Sequence, residues 1–133
     1  MVDVGKVVGS VTDVTFPEMR AEVRSALESL SDRDYQQRVW IEHRLPQPNY
    51  YDELKLEIHI LFDDIDVCVD PNRWVGDVLL PDEVEPLRQL GQTLSELLDE
   101  PSLVTDADYL ADSRWAEVVR RAQVALDVMN RAG

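Results

Sequence analysis

The chain has 133 residues, 44% of them hydrophobic, which is the size of one domain that can bury a core of its own. It contains 27 acidic and 13 basic residues, and the formal net charge of −14 repels phosphate backbones and anionic lipid headgroups. Nucleic-acid binding and membrane-surface binding are therefore not expected. No apolar run reaches the roughly 18 to 20 residues that a membrane span requires.

The first 14 residues, MVDVGKVVGSVTDV, are expected to form a flexible N-terminal segment ahead of a single helical domain over 15–131. This segment lacks the charged start, long apolar stretch and cleavage site of a secretory leader. Cys68 is the single cysteine, so an internal disulfide is excluded. We therefore expect a cytoplasmic protein with a buried thiol at Cys68.

Two helices are predicted in the first third of the chain. The sequence TFPE at 15–18 has the spacing of a capping box, and apolar residues then recur at intervals of three and four up to Leu30. The sequence SDRD at 31–34 repeats the capping pattern ahead of a second helix. This second helix should end near LPQP at 45–48, because proline removes a hydrogen-bond donor and favours an extended predecessor.

Residues 50–65 fit two kinds of secondary structure. Apolar residues recur with helical spacing, but residues 54–60 also alternate between apolar and polar, as in a strand. The lack of glycine and proline, and the acids Asp52 and Glu53 at the positive end of a helix dipole, favour a helix. A short β-hairpin around residues 54–69 remains the alternative, because β-branched residues alternate ahead of a proline.

Two further helices are predicted downstream. Residues 81–101 place six apolar side chains on one face and carry acids in the first turn. An unbroken apolar stripe runs from Trp115 to Met129, with Asp112 or Ser113 as the N-cap. Four to five amphipathic helices with proline-marked links predict a mainly α fold, a single-domain helical bundle.

The negative charge is concentrated in the middle of the chain. Residues 52–112 contain 17 acids and three bases, whereas the two flanks together contain ten of each. Such a segment attracts basic partners, although acidic residues also confer solubility without any partner. The leading hypothesis is a non-catalytic acidic binding module, like immunity proteins, antitoxins and small regulators, that docks a basic protein. The candidate contact residues are the acids and aromatics near the central segment: Asp63, Asp64, Asp66, Asp70, Trp74, Tyr50 and Tyr51.

A metal-centred function is the first alternative. On a helix, His59 and Asp63 would stand one turn apart, a spacing that suits a divalent ion, and the aspartates up to Asp70 could add ligands. A metal-dependent enzyme or a metal-binding protein would then be centred on His59 and residues 63–70. A calcium loop is disfavoured, because the turn-forming glycine and the closing glutamate are missing.

A self-associating structural protein is the second alternative, with a homodimer formed through the leucine-rich face of residues 84–98. The sequence contains no glycine motif for nucleotide phosphates and no paired cysteines of the C-x-x-C type. We assign no catalytic residue and expect no cofactor.

A resemblance to a known family is carried by three blocks: YQQRVWIEHRLPQPNYYDELKLEIHILFDD, VGDVLLPDEVEPLRQLG and YLADSRWAEVVRRA. They resemble a family of small acidic actinobacterial proteins that has no assigned activity. The resemblance covers the chain from about Phe16 to Met129. It implies a cytoplasmic single-domain protein and supplies no catalytic residue.

Overall fold

A computed structural model describes residues 14–45, 47–48 and 50–132. Within these residues the fold is helical, with no β-strand and a single isolated parallel bridge between Val75 and Leu79. The prediction of a mainly α, single-domain bundle is confirmed, with six helices where four to five were expected. The predicted flexible segment falls outside the described residues except for Val14, which is buried.

The helices follow one another along the whole described chain. They are α1 (Pro17–Leu30), α2 (Arg33–Tyr35), α3 (Leu54–Ile58), α4 (Val84–Leu98), α5 (Asp106–Ala111) and α6 (Trp115–Arg131). Wider π-helical turns extend two of them, Gln36–Ile41 after α2 and His59–Asp64 after α3. Two 3₁₀ turns precede α4, namely Pro71–Trp74 and Pro81–Glu83. In the described part of the chain, no helix is long and apolar enough to cross a membrane.

The segment with two predicted structures is helical from Leu54 to Asp64, so the favoured alternative is confirmed, although residues 50–53 precede the helix. Its inward face carries Leu54, Leu61 and Ile65, which are buried at helical spacing. Leu56, which a strand would place on the same face as Leu54, is exposed. Helical burial of these side chains therefore excludes the hairpin over this part of the chain.

The predicted starts of the first two helices are displaced. The first begins at Pro17 without a side-chain cap. Proline suits the first helical position, because its φ angle is fixed near the helical value and the N–H that it lacks would have no partner there. Thr15, the predicted cap, instead donates its backbone N–H to the carbonyl of Gly76 at 3.1 Å. The second helix is capped by Asp32, one residue after the predicted Ser31.

The core is organised around α6, which packs against both α1 and α4. The leucine stripe of α4 faces this core, and four of its side chains are fully buried: Leu87, Leu90, Leu94 and Leu97. The face proposed for self-association is therefore covered within the chain itself. Leu98, assigned to the same stripe from the sequence, is exposed.

A buried ion pair joins α1 to the turn before α4. The guanidinium of Arg20 donates to both carboxylate oxygens of Glu83, each at 2.7 Å, and the side chains are only 4% and 1% exposed. Arg20 also donates to the carbonyl of Val78 at 3.0 Å. Bidentate geometry with an additional acceptor compensates part of the cost of removing both charges from water.

At Gly91, helix α4 lies very close to the backbone of the turn that contains Cys68. A Cβ atom at this position would lie 2.0 Å from the carbonyl oxygen of Cys68, so only glycine allows this contact. The Cys68 thiol is buried, as the sequence predicted, and burial raises its pKa above the usual range. The thiol is accordingly a packing group rather than a reactive one.

Candidate functional site

The acidic stretch singled out in the sequence brings His59 and Asp63 together. Nδ1 of the imidazole lies 2.8 Å from Oδ2 of the carboxylate, one turn apart, as the helical spacing predicted. Both side chains are exposed. Across the described ranges, no group of three or more histidine, cysteine, aspartate or glutamate side chains could hold a metal. The pair thus forms a direct contact on one helical turn, with no third possible metal ligand beside it among the described residues.

The aspartates that follow differ in what they contact. Asp66 accepts hydrogen bonds from the indole of Trp74 at 2.7 Å and from Arg73 at 3.3 Å. The guanidinium of Arg73 lies 5.1 Å from the centre of the Trp74 ring, within the range of a cation–π contact. Asp66 therefore fixes a half-buried aromatic side chain, while Asp64 and Asp70 are exposed.

The two neighbouring tyrosines have different surroundings. Tyr51 is 56% exposed. Tyr50 is half-buried and its hydroxyl is hydrogen-bonded to the hydroxyl of Tyr35. Only one of the two tyrosines is thus openly available to a partner.

A buried polar network, which the sequence did not reveal, lies behind these tyrosines. Oδ2 of Asp52 accepts hydrogen bonds from Tyr35 at 2.7 Å and from the indole of Trp40 at 2.9 Å. Since Tyr35 donates its proton to Asp52, its oxygen accepts from Tyr50. This chain of donors holds Trp40 in one orientation at the end of the second helix.

Glu57 adds a second buried carboxyl group to the network. Burial, a hydrogen bond with Asp52 and the negative charge of Asp52 raise the pKa of Glu57 to about 9. Glu57 is therefore protonated and uncharged at neutral pH. Its position three residues after Leu54 and four before Leu61, both buried, is the sequence signal that could have identified it.

A cavity of about 390 Å³ opens beside the ordered indole of Trp40. Three chain segments form it: the end of the second helix, the residues before α3, and the start of α5. We call it the Trp40 cavity, and the residues that matter for its chemistry are Trp40, Ile41, His43, Tyr51, Glu53 and Asp106.

The start of α5 on the cavity wall is stabilised by a local capping box that the sequence-based prediction missed. The Thr105 hydroxyl accepts from the backbone of Asp108, whose carboxylate accepts from the backbone of Thr105. The TDAD sequence at 105–108 carries this signal, since its first and fourth residues are suited to the two roles.

A family model described as a domain of unknown function, DUF7945, matches residues 14–132. The chain belongs to this family. The resemblance to a family without an assigned activity, expected from the three sequence blocks, is thereby confirmed. No curated protein and no solved structure matches the chain.

The acids of residues 52–112 in this DUF7945 chain fall into three groups. Asp52, Glu57 and Glu83 are buried and add nothing to the charged surface. Four others lie within 4.0 Å of an arginine: Asp66, Glu85, Glu100 and Asp112. The remaining ten have no lysine or arginine that close within the described ranges: Glu53, Asp63, Asp64, Asp70, Asp77, Asp82, Glu96, Asp99, Asp106 and Asp108.

Proposed function

We propose that this protein is a non-catalytic binding module that docks a basic protein partner on the acids of its central segment. The observation that carries the proposal is the set of ten exposed or half-buried carboxylates that have no lysine or arginine within 4.0 Å among the described residues. Unbalanced charge of one sign on a surface accelerates and orients the approach of an oppositely charged protein. An immunity protein, an antitoxin or a small regulator would use such a surface in this way.

The stretch around Trp74 supplies an anchor for such a contact. Tryptophan and arginine are enriched among the residues that dominate binding energy at interfaces. Here Trp74 is half-buried, its ring is oriented by Asp66, and Arg73 lies against the ring. A partly ordered aromatic loses little conformational freedom on binding, which favours its use as a contact. Asp64 and Asp70, both exposed, lie close to it in the sequence.

The sign of the surface charge indicates the kind of partner. A basic cytoplasmic protein fits the sign of the charge, whereas nucleic acids and anionic membranes would be repelled. Self-association through the leucine stripe of α4 is not part of the proposal, since those leucines are buried in the core. A homodimer would have to use another surface.

The test is affinity capture from a cytoplasmic extract at low salt, followed by kinetic measurement of binding to the captured protein. The decisive variant changes Asp63, Asp64 and Asp70 together to asparagine. It keeps Asp66, because that carboxylate positions Trp74. We expect the variant to associate more slowly and to show a weaker dependence on salt, because exposed charges are screened over about 8 to 10 Å at physiological ionic strength.

The matched control removes the same number of charges from exposed positions on α1, with Glu18, Glu22 and Glu28 changed to glutamine. It should bind like the unmodified protein. Equal binding by both triple variants, or binding that high salt leaves unchanged, would contradict a docking role for the central segment.

A further inference from the structure

The Trp40 cavity has acidic walls, and the ordered ring of Trp40, which is only 2% exposed, lies at its base. The Trp40 ring is held by its hydrogen bond to Asp52 and by edge-on contacts with Tyr35 and Trp115, at centroid distances of 6.5 and 6.3 Å. Ile41 and the exposed ring of Tyr51 add apolar surface. A volume of about 390 Å³ lies within the range of pockets that enclose small ligands or single side chains.

The cavity wall carries two carboxylates, and the basic side chain among its described lining residues is His43. Glu53 and Asp106 are both half-buried, and no lysine or arginine of the described residues comes within 4.0 Å of either. Burial raises the pKa of Asp106, and the negative charges of Glu53 and Asp52 raise it further, although a hydrogen bond from the backbone of Leu54 and the nearby His43 oppose them. The charge of Asp106 is thus poorly compensated.

Two other classes of ligand fit this cavity less well. A metal would need three donors, and the described residues offer no such group here. An anion would require free backbone N–H groups at the start of α5. The amides of Val104, Thr105 and Asp108 are already hydrogen-bonded to the side chains of the local capping box.

We infer that the Trp40 cavity receives the guanidinium or ammonium group of an arginine or lysine side chain presented by the basic partner. The inference rests on the proposed function. The apolar stem would lie along Trp40 and Ile41, and the cationic head would meet Glu53 and Asp106, with Tyr51 available for a cation–π contact. Charge complementarity combined with an aromatic floor selects this occupant over a neutral side chain.

The test follows the indole N–H resonances of the three tryptophans by NMR during titration with N-acetylarginine methylamide. N-acetylcitrulline methylamide, which has nearly the same shape without the charge, is the control ligand. We expect the Trp40 signal to shift when the arginine probe is added and to stay unchanged when the citrulline probe is added. Trp74 on the proposed docking segment and the buried Trp115 serve as internal references. Equal shifts with both probes, or shifts confined to the reference signals, would overturn the inference.

A double variant, Glu53→Gln with Asp106→Asn, tests the acidic wall. Asparagine still offers an oxygen to the backbone of Leu54, so the fold should be preserved. The variant loses the charge-assisted hydrogen bonds of both carboxylates, so it should bind the arginine probe about tenfold more weakly or worse. The control with equal charge loss is Glu22→Gln with Glu28→Gln on exposed positions of α1, outside the central segment, which should bind the arginine probe normally.

Capture of the partner separates this inference from the proposed function. If the partner is retained by the cavity variant but lost by the triple variant of Asp63, Asp64 and Asp70, the docking role stands and side-chain insertion is refuted. If the arginine probe binds while the partner is unaffected by the cavity variant, the cavity takes a small free guanidinium compound rather than a partner side chain, and the inference is again overturned. Loss of the partner from both variants supports insertion.

Discussion

Replacement of Glu57 by glutamine is the sharpest test of the buried network. Glutamine has nearly the same shape, can donate to Asp52 and carries no charge at any pH. In the folded protein the pKa of Glu57 is raised to about 9 from an ordinary value of 4.5. Folding therefore takes up one proton between these two pH values, and stability falls as pH rises through this range.

The magnitude follows from proton linkage. One proton bound by the folded state and absent from the unfolded state changes the free energy of unfolding by about 1.4 kcal/mol per pH unit. Between pH 6 and 8 the unmodified protein should thus lose about 2 to 3 kcal/mol of stability relative to Glu57→Gln. Only the difference between the two proteins isolates this contribution, because other groups titrate in both.

Urea unfolding followed by tryptophan fluorescence at pH 6, 7 and 8 measures this difference. A difference that does not change with pH would refute the protonated buried carboxyl group. Asp112→Asn is the control. Hydrogen bonds from Arg114 lower the pKa of Asp112 to about 2, so this variant should differ from the unmodified protein by the same amount at all three pH values.

Two further predictions concern the close contact at α4 and the buried ion pair, and urea unfolding measures both. Gly91→Ala should destabilise the fold by about 1 to 3 kcal/mol or more, because its Cβ would overlap the Cys68 carbonyl. Gly76→Ala, at φ +93° in open space, should cost only about 1 kcal/mol, and equal losses would argue against the overlap. Arg20→Met alone or Glu83→Leu alone should cost about 3 to 5 kcal/mol. The double variant should recover most of that loss, and additive losses would contradict the pairing.

The helices with strong apolar periodicity were predictable from the sequence. In α4 and α6 the buried residues follow the predicted stripes closely, from Leu87 to Leu97 and from Trp115 to Met129. Helix ends were less predictable. Thr15 is of a residue type that often caps helices, but it contacts Gly76 instead. A local motif contains no information about a neighbour 61 residues away.

The contacts of the candidate site were also only partly predictable from the sequence. The sequence indicated the pairing of His59 with Asp63, because both lie on one helical turn. It could not indicate that Asp66 orients Trp74, nor that Tyr50 joins a network with Tyr35 across an intervening proline-rich link. Contacts within a turn depend on spacing alone, whereas contacts between segments depend on how the chain returns on itself.

The sequence by itself determined the helical class of the fold, its inward apolar faces and the excess of acids in the central segment. The excess of acids is a count along the chain, and the helical class and the apolar faces follow from local periodicity. Only the tertiary structure decided which acids carry charge at the surface. It buried Glu83 against Arg20 and Glu57 beside Asp52, and it left Asp106 half-buried with no lysine or arginine within 4.0 Å among the described residues. The charge state of a carboxyl group depends on solvent and on nearby charges, and folding brings those charges from distant positions.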